Sequence, residues 1–210
     1  MDKQYTAQLV FFLSLYIGIP VAGNAFNDQD LEKLIETGSC HGCDLSGADL
    51  RKINLDGADL AEANLSEAKL AKASLMTANL ERADLSNAKM KGAVLYLAQM
   101  PGANLEKTNL SKANLGGANL AGAILVGANL KGAILRSTSL IKADLTKANL
   151  KKADLDRALL LGADLTKAKL TNANLRFANL TGATLKGWGK IRAIYCHTIM
   201  PNGKLNDSGC

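Results

Sequence analysis

The sequence predicts a solenoid, and three observations carry that prediction. Every fifth residue from Leu45 to Leu185 is Leu, apart from Met90 and Met100. Two residues before each sits Ala, except at Cys43, Ile53, Thr108 and Thr138. No insertion breaks the register over 29 consecutive units. A period of five suits neither regular element. Five steps of ~100° would scatter Leu around a helix. Along a strand with alternating side chains, each successive Leu would change face. The chain must turn once per unit, so that each Leu returns to one interior and is covered by stacked neighbours.

The unit reads Ala-Asp/Asn-Leu-x-x, as in Ala58-Asp59-Leu60-Ala61-Glu62. On these residues the chain resembles the pentapeptide-repeat family. The resemblance implies an all-β solenoid: a right-handed quadrilateral β-helix of about seven coils, four units per coil, one per face. Strand-like spacing of about 4.8 Å between coils would make a rod of about 30–35 Å. The central Leu and the preceding Ala would point inward, and the other three residues outward. The expected organisation is a leader at 1–25, a helix and Cys-x-x-Cys entry at 26–42, the repeat at 43–187 and a C-terminal cap at 188–210.

Met1 to Ala25 reads as a secretory signal. Lys3 lies in a polar head, Leu9 to Ile19 is apolar, and Gly23-Asn24-Ala25 offers small residues for cleavage. The mature chain is expected to begin near Phe26. An uncleaved anchor is the other reading, although the run is short for a bilayer span. Asn27 to Gly38 predicts one short helix. Asn27 or Asp28 can cap it, Asp28 and Asp30 suit its positive end, and Gly38 can stop it. Leu31, Leu34 and Ile35 share a face. That face is expected to cover the first coil.

The four cysteines, Cys40, Cys43, Cys196 and Cys210, flank the body of the repeat. On the implied rod, each pair lies at one end. Cα atoms must come within about 7 Å for a bond, so Cys40–Cys43 and Cys196–Cys210 are the expected disulfides. Export is compatible with oxidation. Two readings stay open for Cys40-His41-Gly42-Cys43, a structural bond or a labile redox pair. It lacks the setting of a thioredoxin motif, and with one His it is a ligand short of a closed zinc site. After Leu185 the register is expected to fail. Trp188 would plug the last layer, and Met200-Pro201-Asn202-Gly203 would turn a hairpin over it.

Function must lie in the outward residues. With four units per coil, residues 20 apart stack in columns. The face through Leu50, Leu70 and Met90 to Leu170 then carries Arg51, Lys52, Lys69, Lys72, Lys89, Lys91, Lys112, Lys131, Lys151, Lys152 and Lys169 against Asp49 alone. The overall formal charge is +6, so the positive charge is segregated as well as abundant. This is a candidate surface for an anionic membrane, glycan or acidic protein. The opposing reading is a solvated face that keeps an aliphatic rod in solution. A candidate apolar contact patch comprises Pro101, Ile141, Leu159 and Leu161. Val94, Tyr96 and Leu97, with Ile134, lie on an adjacent face.

Other classes find little support. With His41 and His197 at opposite ends, no nucleophile has a placed base, and no enzyme activity, cofactor or metal is expected. A calcium row at Asp144 and Asp164 would lack the six to eight oxygens the ion requires. Aromatics are 4% of residues, and the basic face offers none for stacking, so nucleic acid is not an expected partner. The leader, the Cys-x-x-Cys entry and the Cys-containing tail resemble exported pentapeptide proteins of cyanobacteria, which implies the periplasm or thylakoid lumen. The family branch that protects DNA gyrase by mimicking duplex DNA is an acidic, cytoplasmic rod. This chain departs on both counts, so no gyrase partner is expected. The leading expectation is a non-enzymatic scaffold or interaction rod. A redox-responsive protein using Cys40 and Cys43 is the alternative.

Overall fold

The computed structural model describes residues 27–187 and 192–210. The leader expected at Met1–Ala25 and the plug expected at Trp188 lie outside the described residues. Helix α1 spans Asp28–Thr37. The Asn27 side chain accepts from the Gln29 N–H at 3.0 Å, and Gly38 ends the helix at φ 69°, its own N–H bonding the Leu34 carbonyl. Leu34 is buried in the apolar cluster that also holds Cys40, Cys43 and Leu45, and Leu31 packs against that cluster. Asp30 fastens helix to coil by accepting from the Asp44 N–H at 2.8 Å.

From Ser39 onward the chain winds as a square β-helix. Parallel bridges join residues 20 apart, as in Asp44 to Asn64 to Asp84 to Asn104. Four five-residue units therefore make one turn, and each unit contributes a single bridging residue, the one before the central Leu. The register begins at Ser39, one unit earlier than Cys43. It also resumes beyond Leu185, because Asn174 pairs with Ile194 and Asn179 with Ile199. Tyr195 and Met200 thus fall at central positions. Residues Thr198–Ile199 (β1) pair antiparallel with Leu205–Asn206 (β2) to close the described tail.

One unit accounts for all five of its backbone N–H groups, as buried chain requires. In the unit around Leu50, the Ala48 N–H bonds the Leu45 carbonyl within the turn, while Leu50 and Lys52 donate to Lys69 and Ala71 of the next coil. The residue before the central Leu donates to the previous coil, as Lys69 does to Ala48. The fifth N–H, just after the central Leu, faces no carbonyl. The Asp or Asn side chain two residues earlier accepts it, as Asp44 does from Ser46 and Asn109 from Ser111. This explains the recurring Asp/Asn of the sequence. The same side chains stack between coils, Asn64 Nδ2 donating to Asp44 Oδ1 at 3.0 Å and Asn149 to Asn129 at 3.2 Å.

The second residue after each central Leu turns the corner in the left-handed region. Glycine is the residue best suited to this corner, but Lys52, Glu62, Lys72, Arg82 and Lys152 adopt φ of 52–60° there as well. Such residues cost roughly 1–2 kcal/mol each relative to glycine, and the bonds on either side hold them in place. Inside, the Leu columns and their Ala partners are buried almost completely. Thr108 and Thr138 replace Ala without harm because their hydroxyls donate to the carbonyls of Leu85 and Leu115. Among the described residues no buried side-chain polar atom lacks a partner.

Candidate functional site

The register sorts the outward residues onto four faces. We number them by the Leu45, Leu50, Leu55 and Leu60 columns. The second face gathers all eleven predicted basic residues: Arg51, Lys52, Lys69, Lys72, Lys89, Lys91, Lys112, Lys131, Lys151, Lys152 and Lys169, each exposed. The bridge column Asp49, Lys69, Lys89, Asn109, Asn129, Asn149 and Lys169 runs along it. Arg51 is neutralised by Asp49. Its Nε and Nη2 donate to the two carboxylate oxygens at 2.7 and 2.6 Å. These hydrogen bonds, aided by the guanidinium charge, hold the Asp49 carboxyl below its ordinary value. No ion pair involves any of the other ten among the described residues. Arg51, Lys52, Lys72, Lys91 and Lys112 line a shallow groove of about 420 Å³ at the N-terminal part of this face.

On the other faces some cations meet carboxylates, while Lys142, Lys147, Lys167, Arg176 and Lys186 make no ion pair among the described residues. Lys107 meets Glu106, Arg136 meets Asp154, Arg157 meets Asp156, and Arg82 lies near Glu62 and Glu81. The second face differs in its balance, with eleven basic residues against Asp49 alone, whereas the first face sets Lys107, Lys147, Lys167 and Lys186 among Asp44, Glu67, Asp84, Glu106, Asp144 and Asp164.

Apolar exposure falls differently from the expectation. In the predicted patch on the fourth face, Leu159 is exposed, but Pro101, Ile141 and Leu161 are half-buried. Six of the nine large exposed apolar residues among those described lie on the third face: Met76, Tyr96, Leu97, Ile134, Phe177 and Ile194. Two glycines on the next coil make room there. A methyl group at Gly116 would sit 3.3 Å from the Tyr96 ring, and one at Gly117 would sit 2.7 Å from Leu97 Cδ2. None of the nine lies on the basic face.

Both expected disulfides are present. Cys40 and Cys43 occupy the inward positions normally given to Leu and Ala, with exposures of 0% and 4%. Their bond fills the first core layer. The Cys196–Cys210 bond lies in the tail, half-buried at Cys196 and exposed at Cys210. Beside it sit His197 and Asp207, with His197 Nδ1 and Asp207 Oδ1 3.1 Å apart. Sequence reasoning missed this grouping. A Cys-His pair and an Asp-x-x-Cys run on either side of a hairpin turn were the available signal. No helix among the described residues is long and apolar enough to cross a membrane.

A square solenoid with one Leu, one Ala and one Asp/Asn per five-residue unit defines a pentapeptide-repeat architecture. The family model described as Pentapeptide repeats (8 copies) matches residues 39–77, 78–117, 113–151 and 148–187, and the chain belongs to this family. It is 34% identical to HetL, a pentapeptide repeat protein involved in heterocyst differentiation regulation from the cyanobacterium Nostoc sp. strain PCC 7120. That match covers 80% of this chain and 87% of HetL, with a TM-score of 0.42. It is 21% identical to QnrB1, a plasmid-mediated fluoroquinolone resistance protein, over 74% of this chain and 80% of that one, with a TM-score of 0.51, a likeness of fold. A pentapeptide repeat protein from the Arabidopsis thaliana thylakoid lumen is 31% identical over 50% of this chain and 66% of that one, with a TM-score of 0.25. No match is found among curated proteins.

Proposed function

We propose that the chain is a non-enzymatic rod that docks on an anionic surface through its second face. One observation carries this reading: ten exposed basic side chains share a face without a carboxylate partner among the described residues. Apart from the paired Arg51, all of these cations are lysines, spread over a flat solenoid wall. Lysine is depleted from protein–protein interfaces, whereas aromatic residues and arginine anchor them. This face offers no aromatic and no large exposed apolar side chain. It therefore suits diffuse negative charge, such as an anionic headgroup layer, better than a close-packed protein partner. A basic residue at such a surface gains roughly 1 kcal/mol, so even half of the ten would give about 5 kcal/mol.

The working compartment in this reading is exported, the periplasm or thylakoid lumen. The leader-like Met1 to Ala25 and the pairing of all four cysteines support it. The burial of Cys40 and Cys43 favours a structural bond over the redox alternative, because exchange needs an accessible sulfur.

Co-sedimentation of the mature chain with vesicles tests the reading. Binding to phosphatidylglycerol vesicles at ~0.05 M salt, absent with phosphatidylcholine and lost at ~0.5 M salt as screening shortens, is the expected result. Equal binding to both vesicles, or none to either, rejects it.

A further inference from the structure

The tail holds a second grouping that the basic face does not use. Cys196, His197 and Cys210 each present a ligand atom within 4.8 Å of one another. Asp207 adds a fourth donor. Its Oδ1 lies 3.1 Å from His197 Nδ1 and 3.8 Å from Cys210 Sγ. Two sulfurs, one imidazole and one carboxylate make a donor set of the kind that zinc takes in tetrahedral sites. With Zn–S near 2.3 Å and Zn–N or Zn–O near 2.0–2.2 Å, tetrahedral donors stand about 3–4 Å apart. The spacings of Asp207 Oδ1 to His197 Nδ1 and to Cys210 Sγ already fall in this range, while the two sulfurs, bonded to each other here, must part to about 3.8 Å once reduced.

The placement does not depend on the disulfide alone. The coil below anchors one side. Phe177 N–H bonds the Cys196 carbonyl at 2.8 Å, and Thr198 Oγ1 donates to the Leu175 carbonyl at 2.7 Å. Pairing of Thr198 with Asn206 sets His197 across from Asp207, and the His197 N–H bonds Asp207 Oδ1 at 2.7 Å. The His197 ring rests against Phe177, centroids 5.2 Å apart. The Cys210 N–H bonds the Asp207 carbonyl at 3.1 Å, which turns the last cysteine back. Gly209 allows the close passage, since a methyl group there would collide with the Tyr195 backbone.

We propose that Cys196, His197, Asp207 and Cys210 form a redox-gated zinc site. In the oxidised chain the two sulfurs are spent on each other. A dithiol reductant transfers two electrons, leaving as its own disulfide, and opens the bond to two thiols. One Zn²⁺ then displaces two protons, one from each thiol, and binds both thiolates with His197 and Asp207. A disulfide oxidant then takes two electrons from the thiolates and two protons from solvent, leaves as its own dithiol, releases the ion and restores the cross-link. The tail thus alternates between a covalent and a metal closure of the same hairpin. The buried Cys40–Cys43 bond lies at the other end and takes no part.

The test uses the full mature chain, reduced with a phosphine and titrated with zinc against a chromophoric chelator. Cobalt substitution serves as a second readout. The reduced chain is expected to bind one zinc and to give the intense visible bands of tetrahedral cobalt with sulfur ligands, while the oxidised chain binds none. Cys210→Ser should abolish binding. His197→Ala and the near-isosteric Asp207→Asn should each weaken it by about tenfold or more, with unchanged circular dichroism. Zinc bound equally by oxidised chain, no zinc bound by reduced chain, or full affinity retained in both His197→Ala and Asp207→Asn would each overturn the proposal.

Discussion

Thr198 Oγ1 donates to the Leu175 carbonyl at 2.7 Å, 23 residues back along the chain. Thr138 bonds Leu115 and Thr108 bonds Leu85 across the same interval. The tail residue therefore repeats a contact of the solenoid body, and the segment from Ala193 is built as further units. Thr198→Val keeps the shape and removes the hydroxyl. It is expected to cost about 1 kcal/mol in chemical denaturation. Hydrogen exchange should quicken first at Ile194 and Ile199, the bridging residues of that segment.

Leu115 is fully buried in mid-rod. Leu115→Ala should destabilise by roughly 2–5 kcal/mol, because adjoining coils cannot close the space. Leu115→Lys should yield no folded soluble chain, since the ammonium would have no partner inside. A soluble Leu115→Lys chain with unchanged melting would refute the inward assignment.

Two corner glycines, Gly117 on the third face and Gly122 on the fourth, separate two effects. Gly122 and Gly117 share the left-handed corner at φ 66° and 65°, but only Gly117 is crowded, by Leu97. Gly122→Ala should cost about 1 kcal/mol for the backbone alone. Gly117→Ala should cost more, and the excess should vanish when Leu97→Ala is added. A double-mutant cycle on melting free energies reads this coupling.

Stability should fall at low pH through carboxyls held below their ordinary values. Hydrogen bonds from Arg51, with its charge, depress Asp49, and hydrogen bonds from Thr166, with a smaller contribution from the Lys186 charge, depress Asp164. A carboxyl lowered in the folded state contributes stability above its unfolded value, and the contribution is lost as pH falls through the folded value. Melting temperature should therefore drop below about pH 4. The double variant Asp49→Asn/Asp164→Asn should show a shallower acid limb over the same range.

Much of the fold was legible because a five-residue period leaves only one way to bury every Leu. The coil of 20 residues, both disulfide pairings and the gathering of Lys69, Lys89 and Lys131 on one exposed face followed from that period and the family resemblance. The ends were not legible for the same reason. Cys40, Tyr195 and Met200 hold central positions without being Leu, so the pattern fades where the register continues. Ala193 and Thr198, small residues five apart, were the remaining trace. The third-face strip was underestimated because its exposure depends on Gly116 and Gly117 being bare beneath Tyr96 and Leu97. The cysteine–histidine–aspartate grouping depends on the hairpin register of Thr198 with Asn206, which no local spacing reveals.

The most direct measurement compares two triple variants on anionic vesicles. One carries Lys89→Glu, Lys131→Glu and Lys151→Glu on the basic face. The other carries Lys147→Glu, Lys167→Glu and Lys186→Glu on the first face. Each takes the formal charge from +6 to zero, so only location differs. The account predicts that the basic-face triple loses vesicle binding at unchanged melting temperature, while the first-face triple keeps most of it. Equal loss in both would show that net charge alone governs binding and would contradict a docking face.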